Sequence, residues 1–180
     1  MILSLPLTLA ILAQAGTQAP APAEPKRPAI VIQAASAGPN SVHYLNIPWG
    51  PNTFAGMEQA ADGFYNRRAW PFARLETKSA ATIDGKRLPA GNYALLFHPN
   101  TPENAGMSLE IRRIAAGEFL QPGNVMTPAP EGETMLRAPV LFETVPETAP
   151  ALAIELRPGK DATALTVRYG DRRLVKELRN

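Results

Sequence analysis

Residues 82–98 constrain this chain more than any other stretch. They read Thr-Ile-Asp-Gly-Lys-Arg-Leu-Pro-Ala-Gly-Asn-Tyr-Ala-Leu-Leu-Phe-His, which spells strand, turn, turn, strand. Asp84-Gly85 supplies residues that tolerate the positive φ of a tight turn. Leu88-Pro89-Ala90-Gly91 places proline where a turn wants φ fixed, with glycine closing it. The run from Asn92 to Phe97 is strongly β-prone. A segment of this kind belongs in an antiparallel sheet, and none of its residues forms a catalytic constellation.

The remaining pattern is of the same type. Strands are expected at 29–33, 41–47, 75–83, 92–98, 108–114, 139–144, 151–157, 162–169 and 172–178, separated by turn residues. Leu152, Ile154 and Leu156 fall on one face of their strand, and Leu165, Val167 and Tyr169 on one face of the next, as in sheets with one buried side. Gly170-Asp171 reads as a two-residue hairpin turn between the last two strands. Asn52 or Thr53 would cap one short helix ending near Gly63, in which Phe54, Met57, Ala61 and Phe64 recur at helical spacing. Residues 117–138, rich in Gly, Pro, Thr and Met, read as a long loop, which in a compact domain is mobile or functional. The expected fold is therefore all-β, an antiparallel β-sandwich of jelly-roll or Ig-like type with one short helix.

The N-terminus has a different character. An apolar run at 2–12 precedes Ala13-Gln14-Ala15, the small-x-small pattern of a cleaved export signal, so residues 1–15 are expected to be a signal peptide. The run is too short for the roughly 20 residues of a bilayer span. Residues 16–28 form a Pro/Ala tract suited to an extended tether, and 29–180 the sandwich domain. The expected location is periplasmic or secreted. No cysteine is present, which removes disulfides, thiolate metal sites and cysteine nucleophiles together. Eighteen Lys and Arg face 16 Asp and Glu without clustering, so no nucleic-acid partner is expected.

Chemistry-bearing motifs are scarce. The chain has neither a Gly-x-Ser-x-Gly elbow nor a phosphate-cradling glycine loop, so no catalytic residue, cofactor or metal site is assigned. Two histidines, His43 and His98, fall on expected strands, where ordinary hydrogen bonding is the default. Glu76, Asp84, Glu110 and Glu143 lie on or beside strands and read as solvated charge. The densest mixture of aromatic and cationic residues is Trp49, Tyr65, Arg67, Trp70, Phe72 and Arg74. Aromatic faces stack on sugars and planar or apolar groups, and arginine forks suit carboxylates and phosphates. The competing reading has Trp70 and Phe72 plugging one end of the sandwich, under arginine stems.

The segment Gly85-Lys86-Arg87-Leu88-Pro89-Ala90-Gly91-Asn92-Tyr93-Ala94-Leu95 resembles the corresponding hairpin of an exported bacterial family, the domain of unknown function numbered 2911. That resemblance implies a small exported β-sandwich and no particular activity. It does not extend to the Trp-Arg-Thr-Gly-Ala-Asn stretch of that family, where this chain has Tyr65-Asn66-Arg67-Arg68-Ala69-Trp70.

Three functions are compatible with these residues. The first is a non-enzymatic module binding a small molecule, a glycan or an envelope partner through the aromatic and arginine cluster. The second is a hydrolase of envelope carbohydrate or ester that pairs Glu76 with His43 or His98. The third is a structural domain that self-associates through an open sheet edge.

Overall fold

The computed structural model describes residues 29–50, 69–99, 107–117, 119–123 and 128–180. Ten strands follow in order: β1 (Ile32–Ala37), β2 (Asn40–Leu45), β3 (Trp70–Thr77), β4 (Ala81–Ile83), β5 (Lys86–Leu88), β6 (Gly91–Pro99), β7 (Met107–Ile114), β8 (Glu133–Pro139), β9 (Glu143–Pro158) and β10 (Thr163–Leu178). No helix occurs among the described residues, and none there is long and apolar enough to cross a membrane. The expected short helix, the signal peptide and the Pro/Ala tract all lie outside them.

Six strands form one antiparallel sheet in the order β1-β2-β3-β6-β7-β8. Between β3 and β6 the chain leaves this sheet to make the β4–β5 hairpin. Asp84 and Gly85 turn that hairpin with φ of 46° and 75°, the left-handed pair that matches strand twist in a two-residue connection. The hairpin joins the opposite layer. Thr82 and Arg179 exchange backbone hydrogen bonds at 2.6 and 3.0 Å, tying β4 to the end of β10, and Lys176 reaches Asp84 at 2.5 Å. β9 and β10 pair along most of their length, and Ile47 to Trp49 bond to the far side of β9 through Trp49 N to Pro150 O and Leu152 N to Ile47 O, both 2.8 Å. The second layer therefore runs β5, β4, β10, β9 and the segment leaving β2.

Apolar alternation packs the two layers together. Leu152, Ile154, Leu156, Leu165, Val167 and Tyr169 face Val42, Leu75, Leu95, Leu109 and Ile111 in one continuous core. Burial of these faces, at about 25 cal/mol per Å² of apolar area, is the principal favourable term. The second turn of the organising hairpin is closed from within: the buried Tyr93 donates its hydroxyl hydrogen to the Pro89 carbonyl.

Three expectations are corrected. Residues 75–83 are two strands rather than one, because the chain changes layer between β3 and β4. The expected long loop contains β8, since 133–138 pair with β7 from Arg113 to Leu109. Gly170-Asp171 is not a hairpin turn. It lies inside β10, where register shifts flank Gly170 and φ is 62°, a bulge in a continuous strand. The all-β antiparallel architecture is the one expected, and its larger sheet is a meander interrupted by one excursion.

Gly170 is specified by contact as well as by φ. A Cβ there would lie 2.3 Å from Cε2 of Trp49, whereas one at Gly85 would meet nothing within 4 Å. Gly170→Ala is expected to cost about 2–4 kcal/mol through overpacking and left-handed strain, against about 1 kcal/mol for Gly85→Ala, measured by urea denaturation. Val167→Asp, a charge in the core, is expected to abolish the cooperative transition altogether.

Candidate functional site

Two groups of side chains depart from ordinary sheet packing, and they lie on opposite faces of the six-stranded sheet. The first is aromatic and sits at the end of the core where β3 begins and β6 ends. Trp49 meets Tyr169 edge-on with centroids 5.1 Å apart, and Trp70 approaches the same tyrosine at 6.0 Å. Trp70 also touches Phe97 at 6.1 Å, and Phe97 stacks on Phe72 at 4.2 Å. Phe142 extends the group from the β8–β9 connection, 5.6 Å from Phe97, beside Leu141, which is 85% exposed. Tyr169 donates its hydroxyl hydrogen to the Pro48 carbonyl at 2.9 Å. Both tryptophans remain partly exposed, while Phe72, Phe97 and Tyr169 are buried.

Local geometry explains this placement. The β3–β6 register shifts between Pro71 and Ala73, so Trp70 pairs with Phe97 while Ala73 pairs with Leu95. The extra residue lets Trp70 and Phe72 both turn toward the core end. Trp49 reaches it from the second layer because its backbone is bonded to β9, and the bulge at Gly170 admits its ring.

The second group is polar and lies on the outer face. Glu110 is only 3% exposed, and each of its carboxylate oxygens has a polar neighbour. Arg112 Nε donates to Oε1 at 2.7 Å, Thr134 Oγ1 donates to the same oxygen at 2.8 Å, and His98 Nε2 lies 2.5 Å from Oε2. Burial pushes the Glu110 carboxyl up, but the bonds from Arg112 and Thr134 and the neighbouring charges outweigh it and hold the group below its ordinary value. Burial and then the Arg137 guanidinium push His98 below its usual value, against the pull of Glu110. The pair therefore holds an ionised glutamate against a neutral histidine at neutral pH. On the same face Arg74 donates to the Gly117 carbonyl at 2.9 Å and Arg112 to that of Pro130 at 2.8 Å, so two guanidiniums pin the β7–β8 connection. Gly123 N reaches the Ile30 carbonyl at 3.1 Å, carrying this connection to the β1 edge.

The expected aromatic and arginine surface is thus divided. Trp49 and Trp70 converge on Tyr169. Phe72 is a core residue stacked on Phe97, not a surface contact, and Arg74 projects from the opposite face of β3 to hold a carbonyl. Tyr65 and Arg67 lie outside the described residues. The histidines share the outer face, since His43 pairs with Arg74, which pairs with Ala94 two alternations from His98. Strand spacing and rise place them roughly 16 Å apart. Glu76 is diagonal to His43 but six residues along the sheet from His98, so His98 is served by Glu110 instead. Glu110, expected from the sequence to be solvated charge, is instead buried. Its local signal is slight: it alternates with Leu109 and Ile111, which mark the inner face. Among the described residues no three His, Asp, Glu or Cys side chains gather closely enough to hold a metal ion.

No protein-family model matches the chain, and searches of curated proteins and of solved structures find no match. The specific part of the resemblance to the domain of unknown function is the hairpin Gly85 to Leu95. In the fold those residues make a turn, a hydroxyl staple and core contacts.

The titration directions fix how stability responds to pH. His98 holds its proton less tightly folded than unfolded, so its contribution is complete above its unfolded value near 6.5 and is lost as pH falls through its lowered folded value. Glu110 acts in the same direction below 4.5. The urea midpoint is expected to fall on acidification, with an onset near 6.5 that disappears in His98→Gln. Glu110→Ala, which removes the acceptor of Arg112 and Thr134 and the charge against His98, is expected to cost about 3–5 kcal/mol at neutral pH. Glu143→Gln, in an exposed pair with Arg173, should cost about 0–1 kcal/mol.

Proposed function

We propose that this protein is an exported, non-enzymatic β-sandwich that binds its ligand at the aromatic end of the core. The observation that carries this reading is the convergence of Trp49 and Trp70 on Tyr169, with both tryptophans still partly exposed. Indole faces at a rigid sheet end offer a preformed stacking surface at little conformational cost. The Tyr169 hydroxyl is engaged with Pro48, so the cluster presents ring faces. That favours the face of a sugar ring or another planar or apolar group of an envelope component. Leu141 and Phe142 extend the same surface.

A hydrolase acting on envelope carbohydrate or ester is the second reading, and the observation in its favour is the 2.5 Å contact of His98 with Glu110. A carboxylate that orients one imidazole nitrogen leaves the other free to act as a base. Glycosidic chemistry of the common kind needs a second carboxylate across the cleft, and among the described residues no other carboxylate is within ion-pair distance of His98.

Trp49 and Trp70 are the only tryptophans, so intrinsic fluorescence reads this end directly. Titration with peptidoglycan fragments, outer-envelope oligosaccharides and short-chain amphiphiles is expected to give a saturable change in emission for one class. Trp49→Ala is expected to weaken that binding about tenfold or more, equivalent to about 1.4 kcal/mol. Emission unmoved by every class, with the tryptophans equally quenched by acrylamide throughout, would remove the reading.

A further inference from the structure

The polar network on the outer face leaves one strong donor unused. Arg137 on β8 is directly across from Glu110 on β7, the position from which a guanidinium would ordinarily bind a carboxylate. Here the carboxylate already accepts from Arg112 and Thr134 and contacts His98. Arg137 is exposed, and among the described residues it makes no ion pair or hydrogen bond. A bidentate fork is therefore open to solvent on the same face as His98, one strand removed, and the second nitrogen of that ring, Nδ1, is not the one facing Glu110.

The charges around that ring are unequal. From β7 come Glu110 and Arg112, from β8 Arg137, and from β3 Arg74, two rows away on the same face. Glu110 is neutralised by Arg112 at 2.7 Å, which leaves Arg137, across β7 from His98 on the same face, uncompensated. An oxyanion bound to Arg137 would supply the missing negative charge. A proton taken up by Nδ1 would then give a second charge-assisted donor.

We propose that Arg137 and the Nδ1 side of His98 form a binding site for a small oxyanion, a carboxylate or phosphate group, on the outer face of the six-stranded sheet. This site is separate from the aromatic end and does not depend on it. Binding is linked to protonation of His98, so the oxyanion binds more tightly as pH falls, and the bound anion raises the titration midpoint of His98.

The test uses the fact that the chain has two histidines. Their imidazole Cε1–H signals, assigned with His43→Gln, are followed by NMR against pH in chloride, in inorganic phosphate and in acetate, all at one ionic strength. Phosphate, acetate or both should raise the His98 midpoint by several tenths of a unit while that of His43 stays in place. Arg137→Gln, an exposed substitution that leaves the Glu110 bonds intact, should abolish the response, and Arg137→Lys should keep part of it. A greater response to phosphate assigns a dianion, and equal responses assign a carboxylate-sized site. An unchanged His98 midpoint in both anions, equal shifts of both histidines, or a response that survives Arg137→Gln would overturn the proposal.

Discussion

The indole of Trp49 lies against the bare backbone of Gly170, and much of the molecule's geometry follows from that approach. A side chain there would overlap the ring, so β10 must carry a glycine, and the glycine adopts a left-handed φ that bulges the strand. The bulge sits next to Tyr169 and seats it between the two tryptophans. The same contact anchors the segment leaving β2 onto β9, where backbone bonds from Ile47 and Trp49 carry the chain from one layer to the other. The aromatic end, the register of the long hairpin and the joint between layers are one structural unit.

At the other extremity of the second layer the β4–β5 hairpin performs a similar office. It departs from the six-stranded sheet, binds the end of β10 through Thr82 and Arg179, and returns as β6, a central strand of the larger sheet. Its recognisable residues are accounted for by this task. Asp84 and Gly85 turn the chain, Leu88 and Leu95 enter the core, and Tyr93 staples the Pro89 carbonyl. A motif whose turn, staple and core residues have mechanical roles indicates architecture. Chemistry must be sought elsewhere, in the tryptophans and in the polar face.

That polar face shows how a buried charge is accommodated. Glu110 would be costly to bury alone, and it is tolerated because two donors bond one oxygen and His98 lies against the other. Local alternation hinted at its orientation but could not indicate cover, because Arg112, Thr134 and His98 come from three strands. The strand β8 was obscured by the Gly, Pro and Met around it, whereas its pairing depends on β7. Gly170-Asp171 has the composition of a hairpin turn, and only the ring above it makes it a bulge. Trp70 and Trp49 were legible as a pair of interest. Their meeting on Tyr169 was not, since that residue is 99 positions from Trp70.

What the amino-acid order settled alone is what depends on near neighbours. Period-two alternation assigns inward faces to Leu152, Ile154, Leu156, Leu165, Val167 and Tyr169, and the Asp-Gly pair dictates a left-handed turn, because both are properties of a few consecutive residues. Tertiary structure decided which strands stand side by side, and with that the partner of His98, the freedom of Arg137 and the gathering of the aromatic rings. Those outcomes depend on contacts between residues far apart in the chain, whose closure is governed by the stacking of whole layers and not by any local preference.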